Sequence, residues 1–368
     1  MIKVLLVSTN ADEAGAPRHV EGLVSLLGEE IDFYCIFGEH GSVSRRLSLR
    51  LKEKVYILKG MQSSLNFIKD FFLFFKFLFL VQKVKPDIIH CHSSKAGIYG
   101  RALSLFSKKR ILMTIHGWPW RGFNGWKYKL IIAIEKFFMN FSNCHYIGVA
   151  YCLIEEAKEV GLKIKKSKFS LIYNTSLTFK NLNKLKEHSI FDENYFLMPA
   201  RVSSAKNHKK LAEAFDKSYF KGKLVFAGEG TNSKKFQDTI LSIMEFKKND
   251  IFFLGERNDI QNLIYNANFV ALCSNFETFP LIIPEASSIS KPLILSKVGG
   301  SSEVLTDRYD AVLAESLDEW TEGINFLSLK ENIDFLSKNL GKTYKNILNP
   351  NKVKVELISL YSKLIRKD

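Results

Sequence analysis

The stretch SNFETFPLIIPEA, residues 274 to 286, carries two carboxylates, Glu277 and Glu285, on either side of an apolar run. Acidic residues near a helix start are common, so the plainest reading is a helix N-terminus. The surroundings support a sharper one. FVALCS (269–274) reads as a buried strand, and Pro280 suits the first turn of a helix. Glu277 then lies in the loop at the strand's carboxyl end, with Glu285 about one and a half turns into the helix. Between them, the N–H groups of Thr278, Phe279, Leu281 and Ile282 fall near or within the first turn. Several have no intrahelical partner there, and the helix dipole adds about half a positive charge. An anion such as a phosphate suits that end. The carboxylates cannot hold the anion; they suit hydroxyl groups on either side of it. Hydroxyl, phosphate, hydroxyl is the order of groups in a nucleotide sugar.

A diphosphate needs cations. No Asp-x-Asp motif occurs, so a metal-bridged diphosphate has no obvious ligands. Arg201, at the end of the strand YFLMPAR, and Lys206 beyond it can replace the metal, one with a planar fork and the other with a point charge. The plain alternative for both is an ordinary surface cation. His90 and His92 alternate on one strand and so point the same way. With Cys91 they invite a metal reading, but no third ligand stands at metal-site spacing, so no metal and no cofactor are expected.

These residues need elements to hold them. The first half alternates short β-branched runs with helical segments. Strands are expected at 3–8, 31–37, 54–59, 87–92, 110–116, 145–150 and 168–174, and helices at 18–27, 95–106, 127–141 and 152–160. Residues 176–193 are polar and aperiodic, and read as a linker. The alternation then restarts, with strands at 195–201, 223–228, 251–255, 269–274 and 292–297, and a mostly helical remainder. Such alternation implies parallel sheets with covered faces. The expected organisation is a Rossmann-like domain over 1–175, the linker, a second Rossmann-like domain over 194–350, and a C-terminal helix over 351–368 that packs back on the first domain. Ligands are expected in a cleft at the carboxyl ends of both sheets.

Composition is consistent with this. An apolar content of 46% supports packed cores, and five scattered cysteines argue against a disulfide framework and for a reducing cytoplasm. The net charge of +15 favours acidic partners, phosphorylated small molecules and anionic lipid among them. No helix-turn-helix, RNP or zinc pattern accompanies it, so nucleic acid is not an expected partner. The Phe-rich stretch at 65–85 is interrupted by Lys69, Asp70 and Lys76 and is not read as a transmembrane span. It is either a deeply buried helix with a narrow wet stripe or an interfacial helix with lysines at the headgroups.

Taken together, Glu277–x7–Glu285, GGSSEVL (299–305), PARVSSAKN (199–207), LVFAGEG (224–230), PDIIHCHSSKAGIYGR (86–101) and TIHGW (114–118) resemble the retaining glycosyltransferases of family 4. The resemblance spans nearly the whole chain and implies the GT-B fold. It implies that Glu277 contacts the transferred sugar and Glu285 the ribose hydroxyls, that Arg201 and Lys206 neutralise the diphosphate, and that Phe279, Pro280 and Leu281 form the turn approaching the phosphates. His116 would lie beside the sugar, Gly15 would let backbone come close to the diphosphate or acceptor, and Ser93 and Lys95 would touch the acceptor. The sequence departs from the family's pattern at AGAPRH (14–19), which has one glycine where a Gly-Gly pair is usual, and at IYNTS (172–176), which lacks Pro-Asn-Gly.

The resulting expectation is a metal-independent hexosyl- or N-acetylhexosaminyltransferase, cytoplasmic or peripheral on the inner membrane face. It would move sugar from a UDP- or GDP-linked donor to a glycan or lipid-linked acceptor, with retention, in surface polysaccharide synthesis. An epimerase or hydrolase of GT-B architecture, or a non-catalytic nucleotide-sugar binder, remains the alternative.

Overall fold

The computed structural model describes residues 1–61, 67–175 and 194–366. The expected linker at 176–193 lies outside the described residues. The chain divides into two compact units, Met1–Leu177 with Pro350–Asp368, and Thr178–Asn349.

The first unit is built on a seven-stranded parallel sheet: β1 (Ile2–Ser8), β2 (Ile31–Phe37), β3 (Val55–Ile57), β4 (Ile88–Cys91), β5 (Arg110–Ile115), β6 (Cys144–Gly148) and β7 (Phe169–Leu171). Its order is β3-β2-β1-β4-β5-β6-β7. The central strands are almost uninterrupted Val, Ile and Leu because both faces are covered. One core joins β1 and β2 to helix Gly15–Leu27 through Val20, Leu23, Val24 and Leu27. Helix Pro350–Arg366 completes it with Val353, Leu357, Leu360 and Tyr361. Arg110 Nε and one Nη donate to the carbonyls of Leu364 and Ile365 at 2.7 and 2.9 Å, which caps that helix's C-terminus with a cation.

The second unit has six parallel strands: β8 (Tyr195–Pro199), β9 (Lys223–Ala227), β10 (Ile251–Phe253), β11 (Phe269–Leu272), β12 (Leu293–Ser296) and β13 (Val312–Ala314), in the order β10-β9-β8-β11-β12-β13. Two elements escape the sequence periodicity. Helix Ser42–Leu51 (SVSRRLSLRL) buries only Val43, Ser44 and Leu47, so its apolar stripe is too thin to register. β13 is three residues long and is specified by its pairing with β12.

Helix Phe67–Val84 corrects the buried-helix reading. Leu73, Phe77, Val81 and Val84 are buried at a helical repeat, whereas Ile68, Phe71, Phe72, Phe75 and Phe79 are exposed, Phe79 by 69%. The wet side is therefore aromatic as well as cationic. Lys95 on helix Ser94–Ser104 fixes this helix through an ion pair with Asp70 at 2.8 Å. No helix among the described residues is long and apolar enough to cross a membrane.

Candidate functional site

In the second unit the strand order reverses at β8, whose neighbours β9 and β11 leave in opposite directions. Ligands of open parallel sheets settle outside the carboxyl ends at such a point. Asn275, in the loop after β11, fastens that loop to the one after β8. Its N–H donates to the Ala205 carbonyl at 2.7 Å, and its Nδ2 to the Ser204 carbonyl at 2.9 Å. Its Oδ1 accepts from Asn207 Nδ2 at 2.9 Å. Asn207 sits in the left-handed region, φ 45°, a conformation that Asn tolerates better than most residues. From there its Oδ1 caps helix His208–Lys217 by accepting from the Lys210 N–H.

The clasp brings Lys206 onto Glu277. The ammonium is ion-paired and hydrogen-bonded to Glu277 Oε1. The same oxygen accepts from Ser274 Oγ at 2.8 Å. An ammonium has three donors, so Lys206 can hold the carboxylate and still meet an anion.

Two glycine turns set the backbones behind these groups. Gly228, in the turn after β9, lies against the main chain of Ala200 and Arg201, where a Cβ would collide. Beside it the Val202 N–H donates to the Glu229 carbonyl at 2.8 Å. This fixes the Arg201 backbone while its side chain stays exposed. Gly299, φ 56°, lies against the Glu277 and Thr278 carbonyls, and the Gly300 N–H donates to the Thr278 carbonyl at 2.6 Å. The GGSS segment thus buttresses the Glu277 loop.

The helix after that loop, Ile282–Ser288, starts two residues later than Pro280 implied. Its first bonds run from the Ile283 N–H to Pro280 and from the Glu285 N–H to Leu281, each 3.1 Å. Pro284 has no N–H to give and shortens the ladder. Glu285 consequently lies in the first turn, half-buried, three residues after the helix's first residue, Ile282, rather than deeper in the helix. Phe279 and Pro280 are buried beneath the turn and Leu281 is half-buried.

In the first unit the order reverses between β1 and β4. The Thr9 N–H donates to Ser93 Oγ at 3.2 Å and joins the loops that leave those strands. Gly15 opens helix Gly15–Leu27 with nothing within 4 Å of where a Cβ would stand, so its surface is open to approach. Lys95 does not behave as an open site cation: it is only 4% exposed, and its charge is committed to Asp70. It ties two helices together.

His116, just past β5, is half-buried in a cluster with His92, just past β4, and His19 on helix Gly15–Leu27. Ring centroids lie 4.9 Å apart for His19 and His116, 5.3 Å for His19 and His92, and 5.8 Å for His92 and His116. Burial pushes the His19 pKa down to about 4. Burial, with neighbouring imidazoles adding, holds His90, His92 and His116 well below the usual imidazole range. All four are neutral near pH 7. His90 has both ring nitrogens engaged, Nδ1 with Tyr361 Oη at 2.9 Å and Nε2 with Thr114 Oγ1 at 2.7 Å. His92 has neither engaged, and His116 Nε2 is unengaged too. Leaving such buried groups unpaired costs about 1–3 kcal/mol each. Chain spacing offered His90 and His92 no further partner of this kind, but the fold brings His19 and His116 to His92.

Sequence reasoning missed His19, Asn207, Ser274 and Asn275. Asn207, directly before an amphipathic helix, carried an N-cap signal. His19 and Asn275 depend on contacts between segments far apart in the chain that no local pattern encodes, whereas Ser274 acts on Glu277 within its own loop.

Comparison with known proteins covers both units. Residues 14–175 match the model described as Glycosyltransferase Family 4, and residues 180–346 match Glycosyl transferases group 1. An Escherichia coli protein, UDP-Gal:alpha-D-GlcNAc-diphosphoundecaprenol alpha-1,3-galactosyltransferase, is 27% identical over 360 residues, covering 92% of this chain and 91% of that protein. The O-antigen biosynthesis glycosyltransferase WbnH of Escherichia coli is 23% identical over 363 residues, covering 95% and 99%. Among solved structures, HepE from Anabaena in complex with UDP-glucose superposes with a TM-score of 0.82 at 16% identity, covering 99% of this chain and all of that one.

Proposed function

We propose a donor, an acceptor and residue roles for this chain, which belongs to the family 4 glycosyltransferases and has their GT-B fold. It moves a hexosyl or N-acetylhexosaminyl group from a UDP-sugar to a lipid-linked diphosphate acceptor, with retention, in bacterial surface polysaccharide assembly. The galactosyltransferase above and an N,N'-diacetylbacillosaminyl-diphospho-undecaprenol alpha-1,3-N-acetylgalactosaminyltransferase of Campylobacter jejuni, 28% identical over 218 residues, support this choice of donor and acceptor.

The observation that carries the residue roles is the gathering of Arg201, Lys206, Glu277 and Glu285 around one strand-order reversal. Breaking the bond from the sugar's anomeric carbon to the diphosphate leaves the electron pair on a phosphate oxygen and positive charge on the ring. Arg201 and Lys206 stabilise the first, with the N–H groups of the 278–282 turn. Glu277, held by Lys206 and Ser274, accepts hydrogen bonds from the transferred sugar and faces the developing positive charge. Glu285 accepts from the ribose hydroxyls. These cations take the place of a metal at the diphosphate. On the first unit, His116, Gly15 and Ser93 serve the sugar and the acceptor.

An anionic membrane surface is the further partner in this reading, and the first unit supplies the contact. The exposed Ile68, Phe71, Phe72, Phe75 and Phe79 have Phe106 beside them, its ring 6.2 Å from Phe74. Helix Gly125–Phe141 exposes Trp126, Leu130, Phe137 and Phe141 among Lys127, Lys129 and Lys136. Aromatic residues interleaved with lysines suit the headgroup boundary. In this reading attachment is to the surface of one leaflet.

The deciding experiment measures UDP binding and sugar transfer from a panel of UDP- and GDP-sugars to a polyprenyl-diphosphate-linked sugar. Glu285→Ala is expected to weaken UDP binding by about 10–100-fold, the loss of a hydrogen bond to a charged group. Unchanged UDP affinity would remove Glu285 from the ribose.

A further inference from the structure

Helix Gly125–Phe141 carries two strips side by side. Trp126, Leu130 and Phe137 recur at helical spacing and are exposed. Lys129 and Lys136, two turns apart, run along the neighbouring strip with the buried Ile132 between them. That second strip faces helix Cys152–Glu159 across an open cleft of about 410 Å³, with Tyr128 and Val160 also in its walls. Glu159 lines the same cleft. It is the last residue of its helix, where the peptide carbonyls disfavour a carboxylate and favour a cation. Gly161, φ 71°, turns the chain just beyond, and the Lys136 ammonium lies 3.3 Å from where a Gly161 Cβ would stand. Cationic and anionic groups thus share one cleft, yet Lys129, Lys136 and Glu159 are spent on no ion pair among the described residues.

We propose that this cleft takes the zwitterionic phosphoethanolamine headgroup of a phospholipid, with the phosphate on Lys129 and Lys136 and the ammonium on Glu159. The inference rests on the membrane contact proposed above and names the lipid which that contact selects. Charge decides the class. A phosphoglycerol headgroup satisfies the lysines but leaves Glu159 facing a like charge. A phosphocholine headgroup brings a cation, but its quaternary nitrogen has no N–H for the carboxylate. An ethanolamine ammonium has three donors and a compact charge, which suit Glu159 and the negative end of its helix. Trp126, Leu130 and Phe137 on the adjoining strip set the depth. With these side chains in the boundary between headgroups and acyl chains, the cleft beside them stands at headgroup level.

The test floats the full chain with phosphocholine vesicles, alone or carrying equal fractions of phosphoethanolamine lipid or anionic phosphoglycerol lipid. The parent should bind the phosphoethanolamine vesicles about tenfold more tightly than the pure phosphocholine ones, the worth of one hydrogen bond between charged groups. Glu159→Gln should abolish that preference while keeping Tm and UDP affinity, since Glu159 is exposed and outside the donor site. The same change raises the net charge, so binding to phosphoglycerol vesicles should hold or rise. An effect of lipid shape alone would act equally on parent and variant. Lys129→Gln/Lys136→Gln should weaken binding to both kinds of vesicle. Equal binding of the parent to phosphoethanolamine and phosphocholine vesicles, or a preference that survives Glu159→Gln, would overturn the headgroup site and leave the membrane contact standing. A parent that floats with none of the vesicles removes the membrane contact itself, and the site with it.

Discussion

Lys206 Nζ is bonded to Glu277 Oε1 although the two residues are 71 positions apart in the chain. The proposed diphosphate cation and the proposed sugar carboxylate are therefore one unit, each holding the other's geometry. Removing either should cost about 10²–10³ in kcat/KM, the usual loss for one preorganised electrostatic group. Groups that act together are not additive. Lys206→Ala/Glu277→Ala should accordingly fall well short of the product of the single losses in steady-state assays of sugar transfer. Full additivity would show that the ion pair is incidental.

Gly299 supplies a second prediction. Its φ of 56° and its contact with the Glu277 and Thr278 carbonyls leave no room for a Cβ. Gly299→Ala must displace the Glu277 loop. A displacement of about 1 Å at a catalytic group can cost about 10²-fold in rate. The expected result is a fall in kcat of that order with a Tm loss of only a few degrees, measured by turnover and thermal denaturation. A variant with parental kcat would show that the GGSS segment does not position Glu277.

The contrast between these two cases shows what the sequence could reveal. Strands such as KVLLVS and FVALCS declare themselves by unbroken apolar composition, and Arg201, Lys206, Glu277 and Glu285 by their places after such strands. The Lys206–Glu277 bond is a different kind of information. It exists because Asn275 joins two loops whose strands, β8 and β11, are neighbours only through the order of the sheet. His19, His92 and His116 are likewise scattered over 98 positions, 19 to 116, and meet because one helix starts where two strands end. Lys95 shows the converse: its position suggested an open cation, and only packing revealed Asp70 beside it. The Phe-rich helix had the composition of a core element, and only its burial pattern separates the buried side from the exposed one.

That exposed side makes a third prediction. Phe72, Phe75 and Phe79 are 63, 54 and 69% exposed, so replacing all three with Ser removes no core contact of consequence. Surface changes of this kind usually alter stability by less than about 0.5 kcal/mol each. The triple variant should keep its Tm yet lose flotation with vesicles containing anionic lipid, and the parent's flotation should weaken as salt rises. Equal flotation of parent and variant would assign membrane attachment to another surface.

His208 yields a pH prediction for the second unit. It lies at the start of helix His208–Lys217, 3% exposed, with its ring 5.0 Å from that of Phe226 and 5.2 Å from that of Phe236. Nε2 contacts the Ala200 carbonyl at 3.2 Å. Burial first, and the Lys206 charge with it, lowers its pKa from 6.5 to about 4. The folded state thus binds this proton more weakly than the unfolded chain does. Its contribution to stability is complete above pH 6.5 and is lost as pH falls from there toward 4. By about pH 5 the loss amounts to about 2 kcal/mol. His208→Leu gives up the Ala200 contact and should be about 1 kcal/mol less stable than the parent near pH 7.5. Because the leucine does not titrate, the difference should vanish or reverse by pH 5 in urea denaturation of the two proteins. Parallel pH profiles would mean that His208 carries its proton in the folded protein.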